Sequence, residues 1–379
     1  MIKVVVSGVN LVEGGILSVL HDALKSFSNL KSVYDLEVTV LVHDRKLVSG
    51  FLDEPGFVFI EFPEIKSAWR KRVKFEYFES KKISDDLKPD LWLSLHDMTP
   101  DVNCNFQAVY CHNASPFYKL DVKRFFYDTT FSLFCIFYKY LYRINIKKNR
   151  YVIVQQNWLR NAFEKMYGVN TIVAYPVQSA GYIAVGNENL DSLGIDFKKA
   201  TFFYPSFPRI FKNFELVCQA AQKLEAGEND FEVIITLNGT ENTYAEKIFE
   251  RFKHVKSVKF IGIQNRSVIQ QLYEKVDCMI FPSKLETWGL PISEFKAFNK
   301  PILLADLPYA RENISDYPKA KFFNSEDAGQ LADQMRMLTH DQLVFDKNEV
   351  TIPQFPFFND WDALLSFLLE EAKSQVKSL

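Results

Sequence analysis

The sequence predicts an α/β chain of two doubly wound, mostly parallel, Rossmann-like sheets. Three observations carry that expectation. Short apolar runs alternate with segments of helical spacing along almost the whole chain, the pattern of repeated β-α-β units. The rhythm breaks over residues 176–196, which carry glycines and no strong period, and then restarts. The chain has 379 residues, too many for one ordinary domain and suited to two of about 150–200.

The first series begins with the strand candidate Lys3–Val9. Gly15–Phe27 follows, with Ile16, Leu20, Ala23, Leu24 and Phe27 at helical spacing. Further strands are expected at Leu36–Val42, Val58–Phe62, Leu91–Leu95, Ala108–Cys111, Val152–Gln155 and Thr171–Ala174. The second series runs strand Thr201–Tyr204, helix Phe214–Leu224, strand Glu232–Leu237 and helix Thr243–Phe252. It continues through Val258–Ile261, Val268–Lys275, Cys278–Phe281, Pro291–Asn299 and Ile302–Ala305. The expected domains are therefore residues 1–176 and 177–356. Two such sheets are expected to face each other across a deep cleft, with ligands at the carboxyl ends of the strands.

Hydrophobic residues make up 47% of the chain, enough for a core in each half, and a net charge of −2 argues against nucleic-acid binding by bulk charge. The amino terminus lacks a signal-peptide layout, and no run of about 18 apolar residues suggests a membrane-spanning helix. Cys104, Cys111, Cys135, Cys218 and Cys278 are scattered, without a C-x-x-C pair, and read as buried thiols of a reducing compartment. A cytoplasmic protein is expected.

The segment richest in chemistry is 281–294, Phe-Pro-Ser-Lys-Leu-Glu-Thr-Trp-Gly-Leu-Pro-Ile-Ser-Glu. It leaves a strand and opens a helix. Pro291 suits a first helical turn, and Gly289 permits close backbone approach to a ligand. A helix start here would favour a diphosphate. Glu286 in the loop and Glu294 one turn into the helix are carboxylates able to accept from paired sugar hydroxyls. The plainer alternative makes Glu294 a complement to the helix dipole and Glu286 a solvated loop charge.

This segment resembles the E-x7-E signature of family 4 glycosyltransferases, retaining enzymes of the GT-B fold and of the bacterial surface-polysaccharide type. Gly289-Leu290-Pro291 and the strand Pro301–Leu304 fit that family as well; Thr287-Trp288-Gly289 stands where it more often has Gly-Phe-Gly. The resemblance implies that Glu294 holds the nucleotide ribose, that Glu286 holds donor-sugar hydroxyls, and that the backbone around Thr287, Trp288, Gly289 and Leu290 lines the diphosphate and sugar. It implies diphosphate-neutralising roles for Arg209 and Lys212, although they are spaced more tightly than the usual Arg-x4-Lys. Gly14 and Gly15 match a glycine-rich turn near donor phosphate and acceptor, with a plain structural turn as the alternative. Gly262 and Ile263 match a turn that touches the base, and Asn238 ends a neighbouring strand. His112 corresponds to a histidine close to the transferred sugar, with His96 as its rival. A carboxyl-terminal helix from Asp360 (residues 357–379) would return to the first domain.

The resemblance implies transfer of a hexosyl group from a nucleotide-diphosphate sugar to a glycan acceptor, in O-antigen or capsule synthesis. It implies no cofactor beyond the donor and no metal. Asp360-Trp361-Asp362 spells the D-x-D metal motif of another fold but reads as structural. Two rival functions keep the same architecture: a nucleotide-sugar epimerase, which would isomerise donor without acceptor, and a non-catalytic sugar-nucleotide-binding subunit. The aromatic segment Phe125–Tyr142, with Lys139, Arg143, Lys147, Lys148 and Arg150 around its end, is either a buried helix or a face for peripheral membrane contact and a lipid-linked acceptor; the contact would run through 125–150.

Overall fold

The computed structural model describes residues 1–119, 129–176, 190–227 and 230–376. Most of the expected junction and residues 125–128 of the aromatic segment lie outside the described residues. By its internal contacts the chain divides into two compact units. One comprises Met1–Tyr118, Leu133–Val177 and Pro353–Leu379; the other comprises Lys119–Ser132 and Gln178–Ile352.

The first unit opens with β1 (Ile2–Ser7), α1 (Gly14–Leu30), β2 (Leu36–Val42) and β3 (Phe57–Glu61). Short helices α2 (Trp69–Lys74) and α3 (Ser80–Leu87) lead to β4 (Leu91–Ser94) and β5 (Phe106–Cys111). Then come α4 (Thr129–Arg143), which belongs to this unit from Leu133 onward, β6 (Tyr151–Val154), α5 (Asn157–Tyr167) and β7 (Thr171–Ala174). Strands β1, β4 and β5 are buried almost throughout, so they read as continuous apolar runs rather than alternating ones, as parallel strands covered on both faces should. Helix α1 turns Val19, Leu20, Ala23, Leu24 and Phe27 onto the sheet at helical spacing.

The second unit runs β8 (Ala200–Tyr204), α6 (Phe214–Glu225), β9 (Phe231–Ile235), α7 (Thr243–Phe252) and β10 (Val258–Phe260). It continues α8 (Arg266–Lys275), β11 (Cys278–Phe281), α9 (Leu290–Lys296), β12 (Ile302–Ala305), α10 (Pro308–Ile314), β13 (Ala320–Phe323) and α11 (Ala328–Thr339). Side chains fix several helix starts: Asn242 accepts from Ala245 N, Asn265 from Val268 N, and Asp327 from Gly329 N and Gln330 N. The chain then returns to the first unit as β14 (Phe357–Phe358) and α12 (Trp361–Val376).

Every strand pair is parallel. The first sheet has the order β14-β7-β6-β5-β4-β1-β2-β3, the second β10-β9-β8-β11-β12-β13. The second is the 3-2-1-4-5-6 order of a doubly wound domain, and the first contains the same core. Strand order reverses between β1 and β4 in one sheet and between β8 and β11 in the other. Crevices at such reversal points are where open parallel sheets bind ligands.

The return closes the core of the first unit. Trp361, Leu364, Leu365, Leu368, Leu369 and Ala372 are buried in the same apolar cluster as α1 and β1. Strand β14 adds beside β7, and Arg160 of α5 donates to the carbonyls of Gln354 and Pro356. Both carboxylates of the D-x-D take part in the fold: Asp360 Oδ1 accepts from Ala363 N at 2.8 Å, and Asp362 accepts from Asn29 on α1 at 3.1 Å. The aromatic segment resolves into a helix with two apolar faces, because α4 buries Cys135, Tyr138, Leu141 and Tyr142 but exposes Leu133, Ile136, Phe137 and Tyr140.

Candidate donor site and its partner site

In the second unit, the loops after β8 and β11 leave the sheet on either side of its reversal point. The backbone ties them together: Lys284 N donates to Phe211 O at 2.7 Å, and Asn213 Nδ2 donates to Pro282 O at 3.3 Å. Tyr204 at the end of β8 donates to Lys212 O at 2.8 Å. Its proton is then engaged, so Ser283 Oγ, 3.0 Å away, donates to the tyrosine oxygen. Tyr309 donates to Ser283 O at 2.7 Å. The two loops are thus held as one rigid rim.

On that rim Lys212 and Glu286 meet, Nζ to Oε1 at 2.5 Å, both largely buried. Arg209 is exposed, its guanidinium 5.0 Å from the Phe207 ring. Lys212 and Glu286, separated by 74 positions in sequence, form one charge pair at the carboxyl edge of the sheet.

Glu294 follows on α9. Tyr273 donates to its Oε2 at 3.3 Å and Arg266 approaches its Oε1 at 3.4 Å. Burial raises its pKa above the usual glutamate value, against the pull of Arg266 and Tyr273. Gly289 caps the helix with φ +85°, and a Cβ there would meet Ile292 Cδ1 at 3.1 Å, so both conformation and space demand glycine. Leu290 is exposed and Thr287 half-buried.

The Trp288 side chain is turned inward. Its indole is 4% exposed and donates to Ser293 Oγ at 2.9 Å; Ser293 donates on to Asn313 Oδ1, and Asn313 Nδ2 donates to the carbonyls of Trp288 and Gly289. The ring is a wedge beneath the loop, and only its backbone can line a ligand. Asn313 is a locking residue that the sequence did not flag; it lies in the last turn of α10, in no recognisable motif.

At the neighbouring strand ends, Asn238 and Gly262 pack closely, and a Cβ on Gly262 would sit 2.8 Å from Asn238 Nδ2. Asn238 Oδ1 accepts from Thr240 N and Oγ1, closing its own turn, while Glu241 accepts from the N–H groups of Asn238 and Gly239. Ile263 is exposed beyond Gly262.

In the first unit, β1 and β4 flank the reversal point, and a buried polar cluster fills it. Ser7 Oγ lies 2.7 Å from His96 Nε2, and Arg72 Nη2 lies 2.8 Å from His96 Nδ1. Arginine only donates, so Nδ1 is the bare nitrogen and Nε2–H donates to Ser7. Arg72 Nε also pairs with Glu76 Oε1 at 2.5 Å. His96 is enclosed by these partners and cannot meet a ligand in this arrangement.

His112 is placed differently. Asp97, with φ +72°, accepts from His112 N at 2.6 Å, Asn113 N at 2.9 Å and the Tyr142 hydroxyl at 2.8 Å. His112 Nε2 lies 2.7 Å from Leu95 O, an acceptor only, so Nε2 carries the proton and Nδ1 keeps its lone pair. Burial lowers the His112 pKa, against the raising effect of Asp97. Among the described residues, His112 alone of the two candidates retains an uncommitted ring nitrogen. Gly14 starts α1 at φ +62° with open space at its Cβ position, and Gly15 is exposed beside it.

The buried pair Glu76–His96 yields a pH prediction. Burial raises the Glu76 pKa to about 7 and, with Arg72, lowers that of His96. Unfolded glutamate releases its proton near ~4.3 and unfolded histidine near ~6.5. Glu76 alone makes the fold less stable as pH rises through this range, and His96 alone makes it less stable as pH falls. Between about 4.5 and 6.5 both states hold one proton on the pair, and the slopes cancel. In Glu76→Gln only the histidine slope remains, and stability is expected to fall with decreasing pH by up to about 1.4 kcal/mol per unit. Urea unfolding from about pH 7 to about pH 5 measures this, and a flat profile for the variant would contradict a neutral buried His96.

The two doubly wound sheets and the charged rim define the class: this is a glycosyltransferase of the GT-B fold. Residues 187–353 match the family model described as Glycosyl transferases group 1. The chain is a glycosyltransferase of that group 1 type, related to enzymes of bacterial surface polysaccharides. It is 18% identical over 320 residues to the O-antigen chain mannosyltransferase RfbU of Salmonella typhimurium, covering 80% of this chain and 82% of that one. Two solved structures share its fold at 14% identity and TM-score 0.61. They are a glycosyltransferase from Rickettsia africae ESF-5, covering 100% of this chain and 99% of that one, and the lipopolysaccharide outer core galactosyltransferase WaaB, covering 91% and 92%. Anabaena Alr3699/HepE, solved with UDP-glucose, has TM-score 0.57 at 14% identity with both chains fully covered. Among the described residues no helix is long and apolar enough to cross a membrane.

Proposed function

We propose that the protein is a retaining hexosyltransferase that moves a sugar from a nucleotide-diphosphate donor to a glycan acceptor of the O-antigen or capsule kind. The observation that carries this reading is the Lys212–Glu286 pair at the β8/β11 reversal point, with Glu294 on the helix that follows. UDP-glucose bound by a protein of the same fold, and the O-antigen role of a relative, support it.

In this reading residues 177–356 hold the donor, and residues 1–176 with 357–379 hold the acceptor. The donor diphosphate takes Lys212 from Glu286 and recruits Arg209. Glu286, released, accepts from sugar hydroxyls, and Glu294 accepts from the ribose. The backbone at Thr287, Gly289 and Leu290 lines the diphosphate, and the turn at Gly262 and Ile263 borders the base. His112 offers Nδ1 to a sugar hydroxyl, and the turn at Gly14 and Gly15 admits phosphate or acceptor.

The bond from the anomeric carbon to the diphosphate oxygen breaks and its electron pair leaves with the phosphate. The acceptor hydroxyl attacks from the same face through an oxocarbenium-like transition state and passes its proton to the departing phosphate. Lys212 and Arg209 stabilise the charge that develops there. With cations of the chain in that role, the reaction is proposed to need no metal ion. Peripheral membrane contact through 125–150, on the cytoplasmic face, belongs to the same reading.

A thermal-shift screen against GDP-, UDP-, dTDP- and ADP-sugars tests it, because a donor that binds only the folded state raises the unfolding midpoint. Glu294→Ala is expected to weaken the matching donor by about tenfold to a hundredfold, the loss of a charged hydrogen-bond acceptor. Unchanged affinity in that variant would remove Glu294 from the site.

A further inference from the structure

Three restraints fix the His112 ring in the first unit. Its backbone N–H donates to Asp97 Oδ1 at 2.6 Å, its Nε2–H donates to Leu95 O at 2.7 Å, and the ring packs on Tyr110 with 4.8 Å between centroids. Two of the three restraints come from the turn that ends β4. The direction of the Nδ1 lone pair is therefore set by the shape of residues 95–97.

That turn does not hold its shape alone. Asp97 has φ +72°, in the left-handed region that an aspartate occupies at a cost, so its surroundings must keep it there. Three donors converge on its Oδ1: His112 N at 2.6 Å, Asn113 N at 2.9 Å and the Tyr142 hydroxyl at 2.8 Å. The first two belong to the neighbouring strand end and move with it. Tyr142 reaches in from α4, 45 positions along the chain, and is independent of both turns. The same hydroxyl lies 3.1 Å from Asn113 O, so it touches both sides of the junction. Its ring is 2% exposed and wedged edge-on between Tyr138 and Phe163, at 5.5 and 5.3 Å between centroids. Burial, with Asp97 beside it, pushes the phenol pKa well above its ordinary value, so the hydroxyl keeps its proton and stays a donor.

We propose that Tyr142 is a positioning residue, which through Asp97 holds the turn that aims His112 Nδ1. The tyrosine touches neither donor nor acceptor in this scheme. The hold itself is a property of the first unit. Its effect on catalysis rests on the proposed function, in which Nδ1 meets a sugar hydroxyl.

Tyr142→Phe keeps the ring and removes the hydroxyl. In the full chain, amide hydrogen exchange at His112 and Asn113 is expected to quicken about tenfold, the worth of one hydrogen bond. Val109 and Tyr110, within β5, should keep their parental rates. Release of nucleoside diphosphate from UDP-glucose and from GDP-mannose is the second readout. There kcat is expected to fall about tenfold to a hundredfold, with KM for the donor within about twofold, as a misaimed group at the reacting sugar predicts. Tyr167→Phe is the control. It lies in the same aromatic cluster, 6.3 Å from Tyr142 between centroids, but its hydroxyl donates to Lys139 O, so both readouts should stay parental. In an Asp97→Ala background Tyr142→Phe should add nothing, because its route to His112 is gone. Parental exchange at both amides, an equal loss in Tyr167→Phe, or additivity with Asp97→Ala would overturn the proposal. So would faster exchange with a parental kcat. An inactive parent whose two amides still respond as expected would count against the transfer reading and leave the hold standing.

Discussion

Lys212→Ala is expected to lower kcat/KM for sugar transfer by about three orders of magnitude, close to 4 kcal/mol of transition-state stabilisation. The ammonium has two successive partners in the proposed cycle. Without donor it neutralises Glu286, whose side chain is only 12% exposed. With donor it turns to the diphosphate, where negative charge grows as the glycosidic bond breaks. Removing it leaves a carboxylate and a leaving group both unpaired. The fall should therefore appear in kcat as well as in KM, unlike the loss of a uniform binding contact.

A double-variant cycle with Glu286→Ala sharpens the test. Two groups that act as a unit lose their effects non-additively, so the double variant should be scarcely worse than Lys212→Ala alone. Initial rates of nucleoside-diphosphate release, with and without acceptor, supply the numbers. A fall smaller than about tenfold, or clean additivity, would mean that the pair merely braces the loops.

The second large effect falls on stability. Trp361→Ala is expected to destabilise the first unit by about 3–5 kcal/mol, the usual loss for a buried tryptophan. The ring is 5% exposed and stacks on Tyr110 at 5.5 Å between centroids, 251 positions earlier in the chain. In calorimetry the midpoint of that unit should fall by roughly 10 °C, at about 2–4 °C per kcal/mol for a domain of this size. Asp362→Ala, which loses only an exposed bond to Asn29, should keep both midpoint and transfer rate. A rate that collapses in Asp362→Ala and is restored by a divalent cation would instead make the D-x-D a metal site.

The sheets were legible because their strands are local signals. A buried parallel strand such as Val4–Val6 or Met279–Phe281 is a short apolar run, visible without any partner. Glu286 and Glu294 were legible for the same reason, within a single segment whose glycine and proline fix the turn. Side chains that work through distant partners were not. Asp97 looks like any strand-end aspartate until His112, Asn113 and Tyr142 converge on it. Arg72 and Glu76 are an i,i+4 pair on one helical stretch, but His96 lies 24 positions beyond Arg72 at a strand end, and only folding joins it to them. Trp288 shows the limit from the other side. Its backbone was expected to line the donor, but nothing in the segment showed that Ser293 and Asn313 hold its ring inside. Strand β14 is two residues long and carries no pattern of its own; β7 supplies the template.

The return of β14 and α12 also orders events on the ribosome. The second unit, from residue 178 to 352, is nearly continuous and is complete before the last segment is made. The first unit begins emerging earlier but lacks Trp361 and the leucines of α12 until those residues are made, so its apolar face on α1 stays open meanwhile. The half of the protein that is synthesised first is therefore the half that matures last, and a chain released at residue 352 would keep that hydrophobic surface uncovered.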